Sequence, residues 1–260
     1  MAEAYIVAAA RTAGGKRGGR LSGWHPVDLA AQVIDALVDR SGADPALVED
    51  VIMGCVLQAG EQSGCIGRMA GLASKLQLDV PGVTIDRQCG SSQQALHFAA
   101  QAVMSGAMDC VIAAGVESMS RIPMASLGKV YKEAGLGHYM SPTIRKRFPG
   151  PDFSQFMGAE MLAEKYKLSK DELDRFSLGS HQRGTAALNS SAFKAEIVPV
   201  AARAAEGGDM GEMHVADEGV RTNATLEGIA SVKTLREGGY ISAASASQIC
   251  DGASCVMVVN

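Results

Sequence analysis

Cys89 stands at a corner of the chain. The β-branched stretch Gly82-Val-Thr-Ile-Asp-Arg87 leads into it, Gly90-Ser91-Ser92 follow, and a helical apolar pattern then runs to Met104. Two kinds of chemistry fit a cysteine at such a place. As a nucleophile it gains from the helix start, where the backbone N–H groups of Gly90, Ser91 and Ser92 lack intrahelical partners and the helix dipole is positive. Both effects favour a thiolate, and the same N–H groups can hold an acyl oxyanion. As a packing residue it is a small hydrophobe of the kind proteins commonly bury. The local pattern leaves both readings open.

The other titratable groups make no rival centre. The remaining cysteines, Cys55, Cys65, Cys110, Cys250 and Cys255, lie in unrelated contexts without a CxxC pair. Cys250 and Cys255 have no histidine or cysteine partners at zinc spacing. No metal site and no disulfide framework is expected, which suits a reduced, cytoplasmic protein. His97 lies on the same helix as Cys89, about 12 Å further along at 1.5 Å per residue, too far to reach the thiol. His138, His181 and His214 fall in a less regular region and are expected to face solvent.

The elements that must carry Cys89 alternate. Ala4–Ala10 reads as a buried strand, His25–Arg40 as a helix with apolar residues at helical spacing, and Asp50–Gln58 as a strand. Cys65–Leu76 reads as a helix, Gly82–Arg87 as a strand, Cys89–Met104 as a helix and Asp109–Ser120 as a strand. This βα alternation predicts an α/β fold, a mostly parallel five-stranded sheet with helices on both faces. After residue 119 the character changes. Ser120–Phe153 has no clean period. Phe156–Tyr166 is helical in pattern, and Ser169-Lys-Asp-Glu172 is a capping box opening a helix whose extent Gly179 and Gly184 leave uncertain. Ala204–His214 is polar and Gly-rich, the signature of a surface loop. Asp251–Asn260 ends in an apolar strand. The layout is a core over 1–119, an inserted loop domain over 120–249, and a strand over 250–260 returning to the core.

Composition is that of a globular protein: 260 residues, 47% hydrophobic, 20% charged, with a net charge of −4. The charge argues against nucleic-acid or anionic-membrane partners. No apolar run reaches the length of a membrane span, and Met1–Gly19 lacks the pattern of a signal peptide.

Collinear motifs carry a resemblance. Asp86-Arg-Gln-Cys-Gly-Ser-Ser-Gln-Gln-Ala95 is similar to the nucleophile motif of the thiolases, the acyl-CoA C-acyltransferases. Ala9–Ser22, Gly60–Ala70 and Ala113–Met124, with its Gly-Val-Glu-Ser-Met-Ser, follow in thiolase order. So do Phe156–Tyr166, Asp217–Lys233 and Ser242–Ser254. The resemblance implies a thiolase-like fold in which Cys89 takes the acyl group from a thioester. It implies that Arg221 lies near the adenine end of coenzyme A, that Ser247 bonds the pantetheine arm with Ala243 and Ala244 beside it, and that Met157 lines the thioester pocket. Coenzyme A is then a cosubstrate, with no permanently bound cofactor, and the assembly is a homodimer or homotetramer. Gly82–Arg87 would pair with its twin, and Arg121–Ser141 would make tetramer contacts.

The pattern also breaks. Thiolases resemble two copies of the βα core, and the second copy carries a Gly-His-Pro histidine, a Cys-x-Gly cysteine and an Asn-Glu motif. None follows here, so the chain is expected to be the N-terminal portion of a longer protein. Trp24-His25-Pro26 and Cys65-Ile66-Gly67 match two of those motifs by letter but open helices in the first half. Phe156 replaces a histidine typical of short-chain biosynthetic thiolases, which points to a longer or bulkier acyl group. Ser92 and Gln93 replace the commoner Gly-Leu. The expected activity is cleavage of a 3-ketoacyl-CoA or the reverse condensation. A ketosynthase and a catalytically silent CoA-binding module are the alternatives.

Overall fold

The computed structural model describes residues 3–260. The chain divides into two compact units. The first holds the residues up to Leu127 together with Phe193–Gly219 and Ile249–Asn260, and the second holds Gly128–Ala192 and Val220–Gln248.

The first unit is built from β1 (Tyr5–Thr12), β2 (Gly15–Lys16), α1 (Pro26–Ser41), β3 (Asp50–Gly54), α2 (Ile66–Ala73), β4 (Gly82–Ile85), α3 (Ser91–Met104) and β5 (Cys110–Ser118). After the insertion come β6 (Ile197–Val198), β7 (Val200–Arg203), β8 (Asp209–His214) and β9 (Cys250–Val259). A seven-stranded sheet runs in the order β4-β3-β5-β9-β1-β6, with β2 paired to β9. β3 is parallel to β4 and β5, and β1 to β6. The α/β class and the five principal strands are as the sequence predicts. Two short strands, β2 and β6, extend the sheet. β9 runs antiparallel to both β5 and β1, so the sheet is mixed at its centre. Because β6 pairs with β1, residues 193–219 cluster with the first unit, although they lie inside the stretch read from sequence as an insertion.

Each face of the sheet is covered. α1 starts where Pro26 fixes the first helical residue and the His25 ring accepts Val27 N–H at 3.3 Å. It ends at Gly42, whose φ of 67° suits glycine. Its Leu29, Val33, Ile34 and Leu37 join Ile66 and Ala70 of α2 over Val51, Met53, Ile112 and Met257. On the other face α3 lays Ala95, Ala99 and Val103 on Ile52, Val111, Ala113 and Val258. Three expectations need correction. The outer end of β1 is exposed at Tyr5, Ile6 and Val7, because only Ala8 and Ala10 reach the core past a register shift at that end. Ala204–His214 is a surface loop only over 204–208: Asp209–His214 is β8, paired antiparallel with β7 in a hairpin. His214 is fully buried, its Nε2 3.0 Å from the Ala13 carbonyl, instead of facing solvent.

The second unit is helical. α4 (Ser126–Glu133) leads into it, followed by α5 (Pro142–Arg147), α6 (Gln155–Tyr166), α7 (Lys170–Asn189) and α8 (Leu226–Ala230). α4 and α5 escape the periodicity because they are short and bury no residue. α7 runs through both of its glycines. The reciprocal Ser169–Glu172 cap and the Lys170–Asp174 and Asp171–Arg175 pairs support it. They offset an interior-glycine cost of about 1 kcal/mol each.

Candidate active site

The corner at Cys89 is a tight, hydrogen-bonded elbow. Asp86 Oδ1 accepts Gln88 N–H at 2.7 Å as β4 ends. Gln88 then takes a φ of 49°, a left-handed conformation that costs a non-glycine residue about 1–2 kcal/mol. Ser91 Oγ accepts Arg87 N–H at 2.9 Å and donates to the Gln88 carbonyl at 2.6 Å. Cys89 is exposed at the crest. Cys65 and Cys250 are exposed as well, whereas Cys55, Cys110 and Cys255 are buried. Burial, followed by the charge of Glu117, pushes the Cys55 thiol up to about 12, which marks it as inert. The expectation of three free first-turn donors is corrected. Gly90 N–H bonds the Arg87 carbonyl at 3.2 Å and Ser91 N–H the Gln88 carbonyl at 3.0 Å, so both close the elbow itself.

Behind the elbow, buried and half-buried polar groups lock the carboxyl ends of the strands, the region where open α/β sheets place ligands. Glu117 of β5 accepts Val56 and Leu57 N–H at 2.8 and 3.2 Å, together with the Gln62 side chain at 2.8 Å. Gln62, wholly buried, accepts Ser118 N–H at 2.7 Å. Asp251 of β9 holds the exit of β5, accepting from Ser118 Oγ, Ser120 N and Ser120 Oγ at 3.2, 2.8 and 2.6 Å.

A second clamp holds the loop after β1. Asp217 takes both terminal nitrogens of Arg11 at 2.7 and 3.1 Å and Gly14 N–H at 2.7 Å. Glu218 accepts Lys16 and Arg20 N–H at 3.2 and 3.0 Å. Burial pushes the Asp217 carboxyl up, but the Arg11 bonds and the Gly14 N–H outweigh it and hold the group below its ordinary range. The sequence reading singled out Arg221 in this segment and missed the acidic pair. Its signal was weak, since the partners lie some 200 residues away.

The remaining candidates lie in the second unit. Met157 sits in the first turn of α6, where Ser154 Oγ accepts its N–H at 3.4 Å. It lines a cavity of about 360 Å³ with Phe156, Pro151, Leu235, Arg236 and Glu160. Glu160 is buried and accepts Tyr240 N–H and Ile241 N–H at 2.9 and 3.0 Å. Burial pushes its carboxyl up, and these two N–H groups with Arg236 bring it below the usual range. Arg221 is exposed, and its N–H bonds His181 Nδ1 at 3.2 Å. Ala243 and Ser247 are exposed and Ala244 is half-buried, on a ribbon wound by Ser242. Cys89 is in the first unit and these residues are in the second.

The two letter matches are structural. His25 caps α1, and Cys65 caps α2 at a φ of 60° with its thiol on the Gly82 carbonyl. His97 is exposed, and His138 faces Asp152 at 3.2 Å. Among the described residues no three His, Cys, Asp or Glu side chains are grouped to hold a metal. No helix among them is long and apolar enough to cross a membrane.

A mixed α/β sheet with an exposed cysteine on a strand-to-helix elbow defines the class of protein: an α/β domain with a thiol at the carboxyl end of a strand, where such sheets place ligands. Within it, the family described as thiolase, N-terminal domain, matches residues 4–260, and the chain belongs to that family. It is 47% identical to the steroid 3-ketoacyl-CoA thiolase of Mycobacterium tuberculosis, aligned over 100% of this chain and 62% of that one. It is 38% identical to a beta-ketoadipyl-CoA thiolase of Acinetobacter baylyi and 35% to a 3-ketoacyl-CoA thiolase of Bacillus subtilis. Those alignments cover 100% of this chain and 67% and 66% of the relatives. The chain thus spans about two thirds of the length of the curated relatives it matches.

Proposed function

We propose that the chain serves an acyl-CoA C-acyltransferase, which cleaves a 3-ketoacyl-CoA with coenzyme A or condenses acyl-CoA in reverse. The observation that carries this reading is the exposed Cys89 on a strained, hydrogen-bonded elbow at the start of α3. In the degradative direction the Cys89 thiolate attacks the 3-keto carbon. The bond between carbons 2 and 3 breaks, and its electron pair leaves with acetyl-CoA, which takes up a proton. The acyl group remains on sulfur until the thiolate of a second coenzyme A attacks the thioester and releases the shortened acyl-CoA and Cys89. The names of the relatives support thioester substrates of this kind.

The second unit is the part we assign to coenzyme A, through Arg221, Ser247, Ala243 and Ala244, with Met157 at the thioester. The cavity beside Met157 is walled by Phe156, Leu235 and Pro151, which suits an apolar or bulky acyl group. The reading places the enzyme in the cytoplasm as a homo-oligomer. The test is intact-mass spectrometry after exposure to acetyl-CoA. Gain of one acetyl group, lost in Cys89→Ala, is expected. A folded protein that takes no acetyl group, or takes it equally in Cys89→Ala, refutes the role given to Cys89.

A further inference from the structure

We infer that Gly54 and Gly115 are positioning residues for Cys89: side by side on adjacent strands, they form the seat on which the first turn of α3 rests. The inference uses the proposed reaction for one of its readouts and the packing for the rest.

Gly54 is the last residue of β3 and pairs with Gly115 of β5 on one side and Ile85 of β4 on the other. Glycine is poorly suited to the interior of a sheet unless another backbone approaches closely. Gly54 meets that condition, and Gly115 is approached as closely by a side chain. A Cβ on Gly54 would lie 2.3 Å from Ser92 N, 2.4 Å from the Ser91 carbonyl carbon and 2.8 Å from its oxygen. A Cβ on Gly115 would lie 2.5 Å from Ser92 Cβ and 3.2 Å from Ser92 Oγ. Neither glycine has a positive φ, so the requirement is for space and not for backbone freedom.

The seat is rigid and the elbow is tied to what it supports. Gly54 is held between two strands, and the residues just beyond it, Val56 and Leu57, are bonded to Glu117. Ser91, the residue pressed by Gly54, bonds Gln88 through both its N–H and its hydroxyl. Pushing Ser91 and Ser92 off the sheet therefore carries Gln88 and Cys89 with them. Clearing the contact at Gly54 needs a shift of about 1 Å, a misplacement that can cost on the order of a hundredfold in rate.

The two glycines differ in a way that makes the inference testable. The atoms facing Gly54 are backbone and cannot be removed, whereas those facing Gly115 belong to the Ser92 side chain and can. The experiment measures, in the full-length protein, the iodoacetamide alkylation rate of Cys89 by mass spectrometry of the peptide that carries it, since Cys65 and Cys250 are exposed too. Thiolysis kcat and KM are measured alongside. Gly115→Ala is expected to change the alkylation rate several-fold and to lower kcat about 10- to 100-fold, with KM for coenzyme A within about twofold. Adding Ser92→Gly to Gly115→Ala is expected to return both rates to those of Ser92→Gly alone. Adding it to Gly54→Ala is not. Should Gly115→Ala not fold, the double variant carries the test, and recovery of folding together with the Ser92→Gly alkylation rate supports the seat. Wild-type rates in a folded Gly115→Ala overturn it, as does a folded double variant that Ser92→Gly has not restored. Absence of thiolysis in the wild type, with the alkylation pattern as expected, refutes the proposed reaction and leaves the seat standing.

Discussion

Gln88 takes up the strain that lets Cys89 stand at the surface. Its positive φ turns the chain sharply enough for Cys89 to stay exposed while Ser91, two residues on, is already buried in the first turn of α3, and Asp86 and Ser91 bond the backbone on either side. Phe156 belongs to the same scale: it lines the same cavity as Met157, and the acyl-pocket role proposed for that cavity can be tested there. Phe156→His is expected to raise kcat/KM for acetoacetyl-CoA relative to a bulky 3-ketoacyl-CoA by about tenfold, the scale of a modest change in an apolar pocket. Steady-state thiolysis of the two substrates checks it, and an unchanged ratio would remove Phe156 from the acyl pocket.

At the scale of elements, the loop after β1 is held by two adjacent carboxylates. Asp217 is the stronger anchor, because it pairs both terminal nitrogens of Arg11 and takes Gly14 N–H. Its carboxyl titrates lower in the folded chain than in the unfolded one. The sign follows: the stability it contributes is present above the unfolded carboxylate value of about 4 and is lost as pH falls through the lower folded value. Asp217→Asn keeps the shape but removes the charge. It is expected to cost about 1–3 kcal/mol at neutral pH, the range for a hydrogen bond to a charged group. It should also make acid unfolding less steep below about pH 4. Urea unfolding of both proteins at pH 7 and pH 3 measures this. A loss of equal size at both pH values would mean that the charge is not what matters.

At the scale of the whole molecule, β4 is the edge of the sheet, and Val83 on it is 41% exposed. An open edge invites pairing with another strand, and a second copy of the same edge satisfies it by a two-fold axis. Val83→Asp places two like charges at that seam. In the homo-oligomer proposed above, it is expected to release monomer in sedimentation velocity, with little effect on the monomer's own fold. A variant that sediments as the wild type would place the interface elsewhere.

The sequence alone determined those features that neighbouring residues write together. The α/β class, the helices α1, α3 and α6, the cap that opens α7 and the strand-to-helix corner at Cys89 all rest on spacings of a few residues. Helical and strand periods and capping chemistry act at that range. The family motifs, being collinear, were legible in the same way. Tertiary structure decided what distant segments do to each other. The direction of β9, whose apolar run suits either orientation, was set by its insertion between β5 and β1. The pairing of Gly14–Arg20 with Asp217 and Glu218 joins residues about 200 apart and leaves no local pattern. The burial of His214 followed from the β7–β8 hairpin meeting Ala13. The seat under α3 belongs to this group as well. Two glycines, each of which by itself weakens a strand, become a requirement only when β3 and β5 lie side by side and a helix end comes down on both.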